Sequence, residues 1–205
     1  MLIHHLGDIL SGHAQWDAIL GALIAITIAL TVHEFAHAKV ADMAGDPTPR
    51  MNGRVSLNPL DHYDPMGTTM ILLFGIGWGK PVPINPAYFR NPRRDEILVS
   101  FAGPGSNFIM AILFAIPLRF GLAGVYASAF HWVILINLLL GFFNLIPIYP
   151  LDGSHILSNL LPVHLAQRLA YFYQRYGIML LLLIIFFGVG KIVFLAEKVY
   201  DLLVG

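Results

Sequence analysis

The chain of 205 residues contains no cysteine, which excludes disulfides and thiolate metal sites. Charge is also scarce: 12 basic and 12 acidic side chains make up 12% of the residues, about half the usual share. Because these cancel to a formal net charge of zero, there is no electrostatic footprint for nucleic acid. Glutamate is scarcest, with three copies against nine histidines. Any buried metal must therefore be held by imidazole and the few carboxylates that remain.

The rest of the chain is largely apolar. Hydrophobic residues reach 57% and the mean hydropathy is +0.71, more than one soluble core can enclose. At about 20 apolar residues per crossing, the length admits four or five membrane passes and no large soluble domain. Residues 1–17 hold three histidines and no Lys or Arg, so they lack the basic start of a secretory signal. Spans are expected near 18–42, 97–118, 126–148 and 177–200. Residues 162–176, with four aromatics, Arg168 and Arg175, suit a separate segment at headgroup level.

Between the first two spans, residues 43–65 are polar and rich in turn formers. There Gly53-Arg54-Val55-Ser56-Leu57 alternates weakly, like a short strand. Met66 to Trp78 is apolar but too short to cross, which predicts a re-entrant or interfacial segment of irregular backbone. The expected fold is an all-α membrane protein, a polytopic helical bundle of about four to five transmembrane helices. A re-entrant or short β segment is expected between the first and second spans. One integral-membrane domain covers 1–205, with a core at 18–160 and a C-terminal span at 177–200. The loop 43–96 carries Arg50, Arg54, Lys80, Arg90, Arg93 and Arg94. By the positive-inside rule this loop and 150–176 face the cytosol, which expects a multi-pass cell-membrane protein.

His33-Glu34-Phe35-Ala36-His37 carries the chemistry. Residues four apart share a helical face, so both imidazoles can reach one ion. Glu34 is then free to take a proton from water at the metal, the general-base arrangement of metalloproteases. Two histidines and a glutamate within a membrane helix are costly and mark function. Catalysis needs a third protein ligand and an open fourth position. Asp152 follows the third span on the same side, flanked by Pro147, Pro150 and Gly153; His155 and His62 are rivals. His131 lies toward the opposite side and reads as a packing histidine. Asn107 in the second span reads as an interhelical hydrogen-bonder.

The paired motifs His33–His37 and Asn144-Leu145-Ile146-Pro147-Ile148-Tyr149-Pro150-Leu151-Asp152-Gly153 resemble the site-2 protease family of intramembrane zinc metalloproteases. Gly53–Pro59, Gly79–Pro83 and Ala102-Gly103-Pro104-Gly105-Ser106-Asn107 are similar to its connecting and second-core-helix segments. The likeness covers residues 18–160 and is nearest the compact prokaryotic branch without PDZ or CBS domains. It implies one zinc per chain held by His33, His37 and Asp152, with Glu34 as base and Asn107 near the substrate carbonyl. It also implies a transmembrane protein substrate cut by a zinc-activated water within or near its membrane segment. Further implied partners are the lipid bilayer and a separate regulatory membrane protein, with the active site near the cytosolic face. A membrane metal transporter or metal-binding module using the same His/Asp cluster, with no need of Glu34 as base, is the alternative.

Overall fold

The computed structural model describes residues 16–74 and 77–205; the reading of residues 1–15 and of Gly75 and Ile76 lies outside them. Among the described residues the regular structure is helical, with no strand. Six helices carry the fold: α1 (Trp16–Ala44), α2 (Pro65–Phe74), α3 (Pro92–Arg119), α4 (Val125–Asn144), α5 (Asp152–Leu160) and α6 (Val163–Val204). Four of them, α1, α3, α4 and α6, are long and apolar enough to cross a bilayer. The chain is a multi-pass helical membrane protein.

Small residues bring the spans together. Ala22, Ala25 and Ala29 of α1 and Ala111 and Ala115 of α3 are buried, so neighbouring backbones approach closely. Ile134 and Leu138 of α4 pack with Ala111, Ala115 and Ala196 of α6 in the main apolar cluster. Large apolar side chains face outward instead, including Leu20, Ile24, Ile109 and Leu113, as lipid contact requires. Inside α1, Thr27 and Thr31 donate to the carbonyls of Leu23 and Thr27, so their hydroxyls need no water.

The connecting segments differ from the sequence expectation in three places. Residues 53–58 form no strand. Ser56 spends its carbonyl on His62 Nε2 at 2.8 Å, and Leu57 is exposed, so the weak alternation has no partner edge to pair with. Pro65–Phe74 is helical where irregular backbone was expected. Asp64 caps it, accepting from Gly67 N at 2.7 Å, and Pro65 sits in its first turn. At ten residues it is about 15 Å long and cannot cross.

The third difference is α6. Residues 163–176 and the last span are not separate segments; they belong to one helix of 42 residues, Val163–Val204, relaxed into a π-helical turn over Ile184–Gly188. Hydropathy changes near Gly177, but no proline lies between Val163 and Val204, so nothing breaks the backbone there. Lys191 on this helix is exposed. Arg119 at the end of α3 donates to the carbonyls of Leu202 and Leu203 and so caps α6. At the other level, Tyr173 Oη donates to Pro147 O at 2.6 Å.

Candidate metal centre

One turn of α1 places His33 and His37 on the same face, both buried. Their rings meet edge to face, with centroids 4.6 Å apart and planes at 82°. The two Nε2 atoms are 3.0 Å apart, and Asp152 Oδ2 lies 3.3 Å from each. Asp152 reaches them because α5 starts hard against the end of α4. A β-carbon on Gly153 would fall 2.3 Å from Leu145 O and 2.6 Å from Ile146 O, so only glycine permits that approach. The anionic carboxylate also sits in the first turn of α5, where the helix dipole favours it.

Hydrogen bonding sets the protons on the imidazoles. His37 Nδ1 is 2.7 Å from Val99 O, which can only accept, so Nδ1 carries the hydrogen. His33 Nδ1 is 2.7 Å from Asn107 Oδ1. The Asn107 amide is oriented by its nitrogen, which donates to Ala29 O at 3.2 Å and to Asn137 Oδ1 at 2.9 Å. Its oxygen therefore accepts from His33, which fixes that tautomer by its network. When both rings are neutral, as metal binding requires, two Nε2 lone pairs and one carboxylate oxygen converge.

Asp152 Oδ2 is buried and has no hydrogen-bond partner among the described residues, a cost that a cation removes. Gly103 of α3 forms the floor, because a β-carbon there would fall 2.4 Å from His37 Nε2 and 2.6 Å from His33 Nε2. The three ligating atoms lie within 4.8 Å of one another. Two imidazoles, a carboxylate and an open side match the donor set of a catalytic zinc site.

A cavity of about 590 Å³ opens onto the cluster, lined by Glu34, Trp78, Gly79, Pro81, Ser100, Phe143, Asn144 and His155 among others. Glu34 is half-buried, and a β-carbon on Gly79 would sit 3.9 Å from its Oε1. Behind that wall, Arg54 is buried and donates to Asp61 O and Lys80 O. Burial lowers its pKa against the attraction of Glu34 and Asp61. A smaller apolar groove of about 200 Å³ adjoins the cavity through Leu30, Gly77, Leu140 and Phe143.

Of the residues singled out in the sequence, His33, His37 and Asp152 come together, and Glu34 shares their cavity. Asn107 is fully buried and holds His33 from behind, outside the cavity lining. His155 lines the cavity but pairs with Glu96 at 3.4 Å; His62 bonds Ser56 O. His131 packs on Trp132 and Tyr200. Sequence reasoning gave Gly103, Val99, Arg54 and Asn137 no role in the site. Gly103 left a signal as one of a run of small residues that permit close helix packing, and Asn137 as an amide in the middle of an apolar span.

Comparison with known proteins gives the family. YwhC of Bacillus subtilis, named a candidate zinc metalloprotease, is 37% identical over 182 residues, covering 83% of this chain and 82% of its own. The sequence profile of Peptidase family M50 matches residues 121–185. The chain belongs to peptidase family M50. Rip3 of Mycobacterium tuberculosis, also named a candidate zinc metalloprotease, is 29% identical over 167 residues; the match covers 79% of this chain and a third of Rip3 (33%). The zinc metalloprotease MJ0392 of Methanocaldococcus jannaschii is 37% identical over 71 residues, 34% of this chain and 21% of its own. No solved structure matches. This M50 peptidase is thus a zinc metalloendopeptidase of the site-2 protease family, built as a multi-pass membrane protein.

Proposed function

We propose that this peptidase hydrolyses peptide bonds within or beside the membrane segments of membrane-protein substrates, with His33, His37 and Asp152 as zinc ligands and Glu34 as general base. The observation that carries the reading is the convergence of two imidazole Nε2 atoms and one carboxylate oxygen beside Glu34 in one cavity. Bound zinc supplies Lewis acidity that polarises a carbonyl and acidifies water. Glu34 takes the proton from the attacking water and passes it to the nitrogen of the leaving amine. Val99 and Asn107 keep the imidazoles turned so that neither ring has to rearrange during turnover.

Supply of water and substrate fits the same placement. From His37 to the end of α1 at Ala44 is about 10 Å of helix, so water has a short path from the interface. The arginine-rich connecting segment puts that end at the cytosolic face of the cell membrane. A substrate helix satisfies its own amides and has to unwind before it is cut; the cavity beside Trp78 to Pro81 is where it would lie extended.

Glu34→Gln is the test. It is expected to abolish cleavage of a membrane-protein substrate in proteoliposomes while one zinc stays bound per chain. Residual cleavage near the parent rate would remove Glu34 from the mechanism. In cells, substrates should accumulate uncut in membranes carrying the variant.

A further inference from the structure

A chain of buried amides runs behind the metal centre through three spans. Asn137 of α4 anchors it, donating from Nδ2 to Val133 O one turn back at 2.8 Å. That bond turns Asn137 Oδ1 toward Asn107 of α3, whose Nδ2 donates to it at 2.9 Å. The second hydrogen of the same Nδ2 goes to Ala29 O of α1 at 3.2 Å. Asn107 Oδ1 is left facing His33, at 2.7 Å from Nδ1.

Both hydrogens of Asn107 Nδ2 and one of Asn137 Nδ2 are thereby used, and both side chains are fully buried. The order of the bonds permits one arrangement. If Asn107 were flipped, an oxygen would face Ala29 O and Asn137 Oδ1, and an NH2 would face the His33 Nδ1–H. The Val133 carbonyl prevents Asn137 from flipping to compensate. Neither amide touches the cavity, so neither is placed to meet substrate.

We infer that Asn137 is a positioning residue for zinc: through Asn107 it locks His33 as the Nδ1–H tautomer, with its Nε2 lone pair held ready for the metal. The inference rests on the reading of His33 as a ligand. It also gives Asn107 a role distinct from contact with a substrate carbonyl. An imidazole without such a partner can carry its hydrogen on either nitrogen and turn about its side-chain bonds. A partner of this kind is typically worth about 10- to 100-fold in metal affinity.

The test uses the full chain in detergent, with zinc affinity read by chelator competition and the His33 tautomer read by 15N histidine spectra of the zinc-free protein. Asn107→Leu and Asn137→Leu keep the volume and remove the polarity. Each is expected to weaken zinc binding by about 10-fold or more and to give His33 a mixture of tautomers, while His37, held by Val99, keeps its spectrum. Asn137→Thr is expected to restore most of the affinity, since its hydroxyl can donate to Val133 O and accept from Asn107. That variant also serves if either leucine variant does not fold. Zinc affinity within about twofold of the parent in both leucine variants, with His33 still protonated at Nδ1, overturns the inference. His33→Ala separates the two readings. Loss of zinc in His33→Ala alone leaves the ligand assignment standing without the amide chain, whereas retention of zinc there removes both.

Discussion

Gly103 stands where a β-carbon would fall 2.4 Å from His37 Nε2, so the floor of the metal centre is defined by a missing side chain. Pro104, the next residue, is also fully buried, which leaves α3 little room to retreat. Gly103→Ala is therefore expected to push the imidazoles apart. Overpacking of this kind costs about 1–3 kcal/mol, which is about 5- to 150-fold in zinc affinity. Chelator competition on the purified variant measures it, and an unchanged affinity would show that the rings do not need that space.

Gly153→Ala acts on the third member of the cluster. The added methyl meets the Leu145 and Ile146 carbonyls, which are backbone and cannot turn aside. The start of α5 has to move outward and take Asp152 with it. Thermal unfolding of the zinc-free protein is expected to report a loss of about 1–3 kcal/mol, accompanied by weaker zinc binding. A stable variant with normal zinc content would refute the close-packing account.

Arg54 is expected to matter for substrate and not for metal. Its guanidinium serves the carbonyls of Asp61 and Lys80 at once, pinning the wall that Gly79 presents to Glu34. Bonds from a charged donor contribute about 1.5–3 kcal/mol each, so Arg54→Gln should raise KM and lower the Tm while zinc content stays at the parent value. Arg54→Lys should fail to rescue, because an ammonium cannot reproduce the planar fork. Full rescue by lysine would reduce the role to charge alone.

Removing the metal tests the ligand set as a whole. A ligand that binds only the folded chain stabilises it by about 4 kcal/mol at a thousandfold excess over Kd. Chelation should therefore lower the Tm of the parent and leave that of Asp152→Ala nearly unchanged. An equal drop in both proteins would exclude Asp152 as a ligand.

Much of this architecture can be read from the sequence, because membrane spans announce themselves by composition and His33, Glu34 and His37 by their spacing. The long-range half of the site is less accessible. Asp152 is an ordinary turn aspartate by local pattern, and only the packing of Gly153 on α4 explains why it points inward. Asn107 and Asn137 are 30 residues apart, and no periodicity connects them. The strand expected at 53–58 fails for a related reason. Alternation describes side chains, while pairing depends on backbone groups that Ser56 has given to His62. Likewise the change in polarity near Gly177 marks a change of surroundings along α6 and not an end of the helix.

The uninterrupted length of α6 has a mechanical consequence. Its 42 residues extend about 63 Å, twice the hydrocarbon thickness of about 30 Å, so a large part of it stands clear of the apolar layer. The rod is fastened near Tyr173 to Pro147, in the turn leading to Asp152, and at its far end to Arg119. Between the two fastenings lies its loosened turn at Ile184–Gly188. A sideways load on the protruding arm is thus delivered through the Tyr173 hydroxyl to the segment that holds the carboxylate of the metal cluster, as a lever works against its fulcrum.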